Sequence, residues 1–488
     1  MSVAHRAVRG AAFVLVSSYA NMAIGIVYGI IIARLLDPDH FGVFALAFFF
    51  FTLFDVRGKL GLEYAFVHRQ PTTDELFATH FTLQIAASVV SLVLTTIFAA
   101  IIAQLNYPAA TAPLMIALAG ALIIEALGAA ARAALEKELV FARSTVVVTG
   151  ALVLSYVAAI LLALAGFTYW ALVGQVAVNA LIGAIGFWWT YRRVTRGARL
   201  HFRLDRDIAR WMLRFGAVMS AGALATVLLL QFDNFLVGTF VGAAALGFYA
   251  LAYKVAQWPT GLVTHIIGRV SLPTYAKLQN DPARLGKAFE MSLWLILTVA
   301  LPLALALFVA APDFLILLYG EKWLPSAILL RFLVGYSVLR PLLDDTGALF
   351  TASGKPERIT TVLVVQAGTL IVVGIPLTLA FAAIGTAIAV GVAFVVGIAL
   401  TYRFIARAIP IDLLRVFAPS VLAALVSIAL YFVFTQAVNL NALPLIIRVI
   451  VKGGVAGGLY GAIIVLIERR AFFERVGYIA RLARGNGT

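Results

Sequence analysis

The chain has 488 residues, 63% of them hydrophobic and only 12% charged, with a mean hydropathy of +1.02. That composition lies far outside the soluble range and describes an all-α polytopic membrane protein with no room for a sizeable soluble domain. The net charge of +15 sits at the ends of apolar runs, which suits anionic membrane lipids and argues against nucleic acid as a partner. With no cysteine, a disulfide framework, a thiolate nucleophile and cysteine-ligated metal are excluded, and nothing in the sequence asks for a cofactor.

His5, Arg6 and Arg9 precede an apolar run from Gly10 to Leu36 that is too long for a cleavable signal segment, so it is expected to be the first span. Further runs follow at Phe41 to Val56, Leu76 to Ala103, Pro113 to Ala131, Thr145 to Leu164 and Tyr169 to Trp189. Next comes the longest connector, Tyr191 to Arg214, with eight arginines. Its Leu204, Ile208, Trp211 and Met212 share one helical face, which predicts an interfacial amphipathic helix. Beyond it the apolar runs are Phe215 to Phe240, Leu246 to Val270, Met291 to Ala310, Ser326 to Phe350, Thr361 to Phe381 and Ile384 to Phe404. Two more, Val416 to Phe434 and Leu445 to Ile467, bring the expectation to about fourteen spans. The predicted organisation is an N-terminal six-helix bundle over residues 1–190 and a cytoplasmic basic linker over 191–214. A second six-helix bundle follows over 215–407, then two additional spans with a basic tail over 408–488.

With a cytoplasmic N-terminus, the inner loops collect Arg57, Lys59 and Arg69, then Arg132, Lys137 and Arg143, and finally the tail from Arg469 to Arg484. The outer connections hold little beyond Arg34 and Lys322, so both termini are expected in the cytoplasm. An internal repeat supports two halves: Phe41-Gly-Val-Phe-Ala-Leu-Ala-Phe48 aligns without gaps with Leu246-Gly-Phe-Tyr-Ala-Leu-Ala-Tyr253, 205 residues later. Six spans separate the copies, so the halves share orientation and are related about the membrane normal.

Four ordered landmarks carry a family resemblance. They are Ala33-Arg-Leu-Leu-Asp-Pro-Asp-His-Phe-Gly-Val-Phe44, Phe232-Asp-Asn-Phe-Leu-Val-Gly238 leading through Leu246 to Lys254, Tyr319-Gly-Glu-Lys-Trp-Leu-Pro325, and Ala352-Ser-Gly-Lys-Pro-Glu-Arg358. In these the chain resembles the polysaccharide and lipid-linked oligosaccharide flippases of the multidrug, oligosaccharidyl-lipid and polysaccharide exporter superfamily. The Tyr319 to Pro325 piece and the Gly58 to Arg69 region look most like the capsule, colanic-acid and teichuronic-acid exporter branch. The resemblance implies two six-helix bundles around a central cavity of alternating access, in a prokaryotic cytoplasmic (inner) membrane. It also implies an undecaprenyl-pyrophosphate-linked oligosaccharide as cargo, peripheral last spans, and glycosyltransferases and a polymerase of the same pathway as partners.

A lipid-linked sugar needs a polar passage, because its diphosphate and glycan cannot be desolvated in hydrocarbon. The eighth run supplies one: Lys254, Gln257, Gly261, Thr264, His265 and Gly268 recur at helical spacing, and Arg269 follows at the inner end. Asp233, on the preceding run, lies at similar depth to Lys254, roughly 14 against 18 Å from the turn at Gly242. The two side chains either neutralise each other and fix the hairpin, or yield to cargo or a proton and so couple or gate transport.

In the tenth run Arg331 and Arg340 are candidate phosphate ligands, although Asp344 stands one helical turn from Arg340 and Arg331 is near enough to an end to snorkel. In the first run, Ser17, Asn21, Gly25 and Tyr28 form a polar or small stripe that suits sugar hydroxyls or helix packing. Glu125 is the acidic residue deep in the first half, and Arg448 and Lys452 are expected to snorkel from the last span. The eleventh run has no carboxylate to complete a sodium site.

A drug exporter of the same superfamily would favour an acidic cavity for cationic cargo, against the modest cationic excess here. A membrane glycosyltransferase or polymerase would need catalytic groups on sizeable loops, and no Walker-type loop for ATP is present. The reading is therefore a non-enzymatic flippase for surface polysaccharide or lipopolysaccharide biosynthesis.

Overall fold

The computed structural model describes the backbone of residues 3–56, 60–195 and 201–483 and, within these, all side chains other than those of residues 3–15, 218–225, 265–270 and 478–483. Every regular element among them is helical. In chain order these are α1 (Val3–Leu35), α2 (Pro38–Phe54), α3 (Leu62–His68), α4 (Asp74–Ile102), α5 (Thr111–Lys137), α6 (Phe141–Leu164) and α7 (Trp170–Val194). They continue as α8 (Arg206–Phe240), α9 (Ala243–Leu278), α10 (Pro282–Tyr319), α11 (Ser326–Leu333), α12 (Tyr336–Ala352), α13 (Glu357–Ala406), α14 (Leu413–Ala437), α15 (Leu445–Ile467) and α16 (Arg469–Ala483).

Ten of the helical segments are long and apolar enough to cross a membrane. α13 is two helices meeting at a kink, where Phe381 leaves helical geometry and Ala382 adopts φ 51°; the two apolar runs read from the sequence fall on either side of it. Short polar residues set the helix starts by satisfying otherwise orphaned amides. Thr73 accepts from the amide of Leu76 at 3.2 Å, Asp281 from Arg284 at 3.0 Å and Asp412 from Arg415 at 3.1 Å. Proline in the first turn reinforces the α10 start and also that of α2.

The connector after α7 departs from the sequence expectation. No separate interfacial helix follows it among the described residues; Asp205 accepts from the amides of Asp207 and Ile208 and starts α8, which then runs unbroken to Phe240. Ile208 and Met212, assigned above to an interfacial face, are buried against α3 and α4 with Phe66 and Phe77. The preceding strand-like stretch lies along α4, where Thr79 and Thr82 take the amides of Asp205 and Arg203 at 3.1 and 3.2 Å. The basic residues Arg57 and Lys59, read above as an inner-loop cluster, lie outside the described residues.

Contacts divide the chain into two units, residues 1–247 and 248–488. In the first, the two glycines of the internal repeat meet at the starts of α2 and α9. A β-carbon on Gly42 would lie 1.7 Å from the carbonyl oxygen of Ala243, and one on Gly247 would lie 1.8 Å from that of Pro38. Only glycine permits this backbone approach. Gly216 does the same for α8, which passes against the carbonyl of Leu60.

In the second unit, α10 carries the last two spans. Asp313, buried on α10, binds Arg448 at 3.2 Å and also Lys452, both on α15. At the other end of α15, Trp294 donates to Glu468 at 2.7 Å, and Arg475 of α16 pairs with the same carboxylate at 3.1 Å. Two polar clamps and an apolar seam of Leu305, Val309, Ala456 and Tyr460 thus hold α14 and α15 to α10. Arg448 and Lys452, expected to snorkel, are instead paired with a carboxylate.

Two stability outcomes follow from these contacts. Gly42→Ala and Gly247→Ala should each cost about 1–3 kcal/mol through overpacking, read as a lowered unfolding midpoint in detergent, whereas Gly150→Ala, which meets nothing within 4 Å, should leave it unchanged. Asp313→Asn should cost about 3–5 kcal/mol by stranding two cations, and replacing all three charges with leucine should recover most of it. An unchanged melt for Asp313→Asn would remove the clamp from the account.

Candidate functional site

α9 and α12 run side by side in the second unit. Tyr253 and Tyr336 pack with ring centroids 5.1 Å apart, and further along Thr264 donates to Asp344 at 3.3 Å. Because both contacts progress in the same chain direction, the helices are parallel, and Arg340, midway between Tyr336 and Asp344, comes level with the turn around Trp258, roughly one turn beyond Lys254. The sequence stripe therefore divides: Thr264 is tied to α12, while Lys254 and Gln257 are exposed in the middle of the helix. Among the described residues, no carboxylate of its own unit pairs with Lys254.

Arg340 is half-buried and its Nε donates to Asp344 at 2.9 Å, which leaves the far end of the guanidinium for another acceptor. Those free donors can bind an anion beside the Tyr253 and Tyr336 rings, and the exposed Lys254 and Gln257 lie within about a turn of that level on α9. The neighbouring Asp345 points elsewhere. It is 2% exposed and receives the hydroxyls of Ser271 at 2.5 Å and Tyr275 at 2.9 Å, with no cation partner among the described residues. Ser271 and Tyr275 went unremarked in the sequence, although their spacing of four puts them on one helical face.

Other candidates are placed as follows. His265 and Arg269 have side chains outside those described. Arg331, on α11, is separate from the Lys254 group: its Nε donates to the carbonyl of Phe308 at 3.2 Å and its guanidinium covers that ring. Asp233 is buried on α8, in the first unit, and its carboxylate accepts the amide of Asn234 at 2.8 Å.

In the first unit, Tyr28 is buried, stacks on Tyr156 with centroids 3.9 Å apart and donates to Gln175 at 3.1 Å. It thereby joins α1 to α6 and α7, and Gly25 makes room for the Tyr156 hydroxyl. Packing accounts for this part of the stripe. Asn21 keeps a buried side-chain oxygen that no protein donor reaches. Glu125 is exposed and lines a cavity of about 190 Å³ with Glu63, Arg132 and Asn179.

Known proteins share sequence and fold with this chain. The lipopolysaccharide biosynthesis protein WzxC of Escherichia coli is 26% identical over 369 residues, 73% of this chain and 72% of that protein. The teichuronic acid biosynthesis protein TuaB of Bacillus subtilis is 27% identical over 61% of each chain. The succinoglycan biosynthesis transport protein ExoT of Rhizobium meliloti is 26% identical over 60% of this chain and 58% of its own.

Among solved structures, the lipid II flippase MurJ in its inward closed conformation superposes with a TM-score of 0.72, covering 94% of this chain and 99% of that one at 14% identity. An inward-facing multidrug resistance transporter of the MATE family reaches 0.61, over 80% and 95%, at 17% identity. At such identities the likeness is one of fold, and the fold is that of multi-pass transporters. The sequence pattern of one family matches residues 31–328, more than half of the chain, and the protein accordingly belongs to the polysaccharide biosynthesis protein family.

Proposed function

We propose that this protein is a flippase that carries an undecaprenyl-pyrophosphate-linked oligosaccharide across the cytoplasmic membrane for surface polysaccharide biosynthesis. The observation that carries the reading is Lys254: an exposed cation about a third of the way along the apolar helix α9, roughly one turn from the level of Arg340, in a chain of this family. A cation kept at that depth without a carboxylate in its own unit has a use for an anion, and a diphosphate satisfies it through charge-assisted hydrogen bonds.

In this reading the diphosphate meets Lys254 and Arg340, Gln257 and the flanking tyrosines meet polar or ring faces of the glycan, and His265 and Arg269 extend the same helix toward the inner side. Asn21, with its unsatisfied oxygen, is the first-unit residue suited to sugar hydroxyls. Asp233 serves as the coupling or gating carboxylate, its charge state biasing one access state over the other. The family resemblance and the transporter fold support alternating access between two bundles, without covalent chemistry. Glycosyltransferases and a polymerase acting on the same lipid-linked glycan are the expected partners.

In this reading both termini lie in the cytoplasm, as the distribution of basic residues suggests. The natural absence of cysteine makes this directly readable. Gln104→Cys should react with a membrane-impermeant maleimide added to intact cells, whereas Glu138→Cys should react only after permeabilisation; the reverse pattern would invert the topology.

The transport reading is tested in proteoliposomes loaded with a defined undecaprenyl-pyrophosphate glycan. Lys254→Ala should slow translocation by about tenfold or more, the effect of losing one charge-assisted hydrogen bond, and Lys254→Arg should restore much of it. An unimpaired rate in folded Lys254→Ala would remove that residue from the mechanism, and transport of cationic drugs with no movement of glycan lipid would overturn the assignment.

A further inference from the structure

A second cationic site lies apart from Lys254, where the end of α14, the turn at Leu440–Ala442 and the start of α15 meet α10 and α11. A cavity of about 360 Å³ opens there, with Arg331 and Lys452 on its wall, polar Tyr431, Thr435 and Asn441 around it, and the rings of Phe308 and Phe432 below. Its volume falls in the range of small-molecule sites.

The charges around it do not balance. Asp313 is shared by Arg448 and Lys452, and Arg331, whose Nε is spent on the Phe308 carbonyl, has no carboxylate partner among the described residues. Three cations thus face one carboxylate, and Asp313 lies behind Lys452 rather than on the cavity wall. The remaining guanidinium nitrogens of Arg331 make no protein hydrogen bond among the described residues. Guanidinium is weakly hydrated and matches a tetrahedral oxyanion through paired donors, while Lys452 supplies a point charge.

The apolar surroundings indicate what brings that oxyanion. Phe332, Phe432, Val433 and Ile450 are exposed on the adjoining faces of α11, α14 and α15, helices of a membrane-spanning unit. Lys452 lies seven residues inside α15, roughly 10 Å from its start, and so reaches the depth of a headgroup rather than of bulk water. A free inorganic anion would use the cations alone. An amphiphile uses both features at once, with a phosphate in the cavity and a chain along the exposed apolar faces.

We propose that this cavity binds the phosphate headgroup of an anionic membrane lipid, held by Arg331 and Lys452, at a site distinct from the Lys254 group. The site does not depend on the cargo assigned above, and its test does not require transport.

Native mass spectrometry of the full-length protein, delipidated in detergent, measures retention of four added probes: dioleoylphosphatidylglycerol, undecaprenyl phosphate, zwitterionic dioleoylphosphatidylcholine and inorganic phosphate. At least one of the two anionic lipids should be retained over phosphatidylcholine, and whichever is held more tightly identifies the source. Arg331→Gln should weaken that retention about tenfold, as expected for one charge-assisted contact, while Arg331→Lys retains part of it. Thr435→Phe, which fills the cavity without altering charge, should weaken it comparably. Both variants should melt as the parent does, because neither touches the Asp313 clamp. Arg284→Gln, which removes a cation at the start of α10, should leave retention unchanged. Equal retention by parent and both variants, equal retention of phosphatidylcholine, or binding of inorganic phosphate with no anionic-lipid preference would each overturn the proposal.

Discussion

A charge at membrane depth must be met by water, by a counter-charge or by hydrogen-bond donors, and this requirement organises the second unit. Asp313 meets Arg448 and Lys452, and in doing so fastens α15 to α10. Asp344 meets Arg340, while the adjacent Asp345 is met only by the hydroxyls of Ser271 and Tyr275. One residue's difference in position on α12 sends the two carboxylates to opposite tasks. Once these pairings are made, Lys254 and Arg331 are among the cations left without a carboxylate partner within the unit among the described residues. Each stands where an anion has access: Lys254 exposed on α9, Arg331 on a cavity wall.

Backbone contact does for the first unit what charge does for the second. Gly42 and Gly247 occupy equivalent places in the two copies of the repeat, and each opens the helix start on which the other packs. Reciprocal contact of this kind explains why the repeat survives as an ungapped eight-residue match: the glycine in each copy is required by the carbonyl opposite the other. Two leucines serve the same joint: Leu46, four places after Gly42, and Leu246, just before Gly247, both close on Gly238.

The spans, the kink between the two helices of α13 and the position of Lys254 were legible because hydropathy and helical spacing are local signals. The clamp at Asp313 was not, for two physical reasons. Pro312 and Asp313 resemble a helix end, so the ninth apolar run was closed at Ala310, whereas α10 continues through both to Tyr319. The partners also lie 135 and 139 residues away, beyond any local pattern. The arginine-rich connector misled in the opposite sense. Its apolar face was real, but Asp205 caps a helix that merges with the next span, and Ile208 and Met212 are covered by protein rather than by lipid. Within the site, the polar stripe on α9 was recognisable, while its division into a tied part at Thr264 and an open part at Lys254 and Gln257 required the position of α12.

Under the proposed function, that division bears on how the site would both take up and release its cargo. Passage demands binding strong enough for entry and weak enough for exit. Two unpaired cations at one depth would hold a diphosphate tightly and, once emptied, would remain unsatisfied in a low-dielectric passage. Lys254 with a partly neutralised Arg340 avoids both problems. Asp344 pairs with Arg340 through Nε, and in that reading would lower the net charge presented to the cargo while leaving the other guanidinium nitrogens available. Thr264, by donating to the other carboxylate oxygen, holds Asp344 in that geometry and ties its position to α9. A shift of α9 along α12 would therefore disturb the Arg340 pair and the placement of Lys254 together, so that under the proposed function the contact between these two helices would join cargo binding to helix movement.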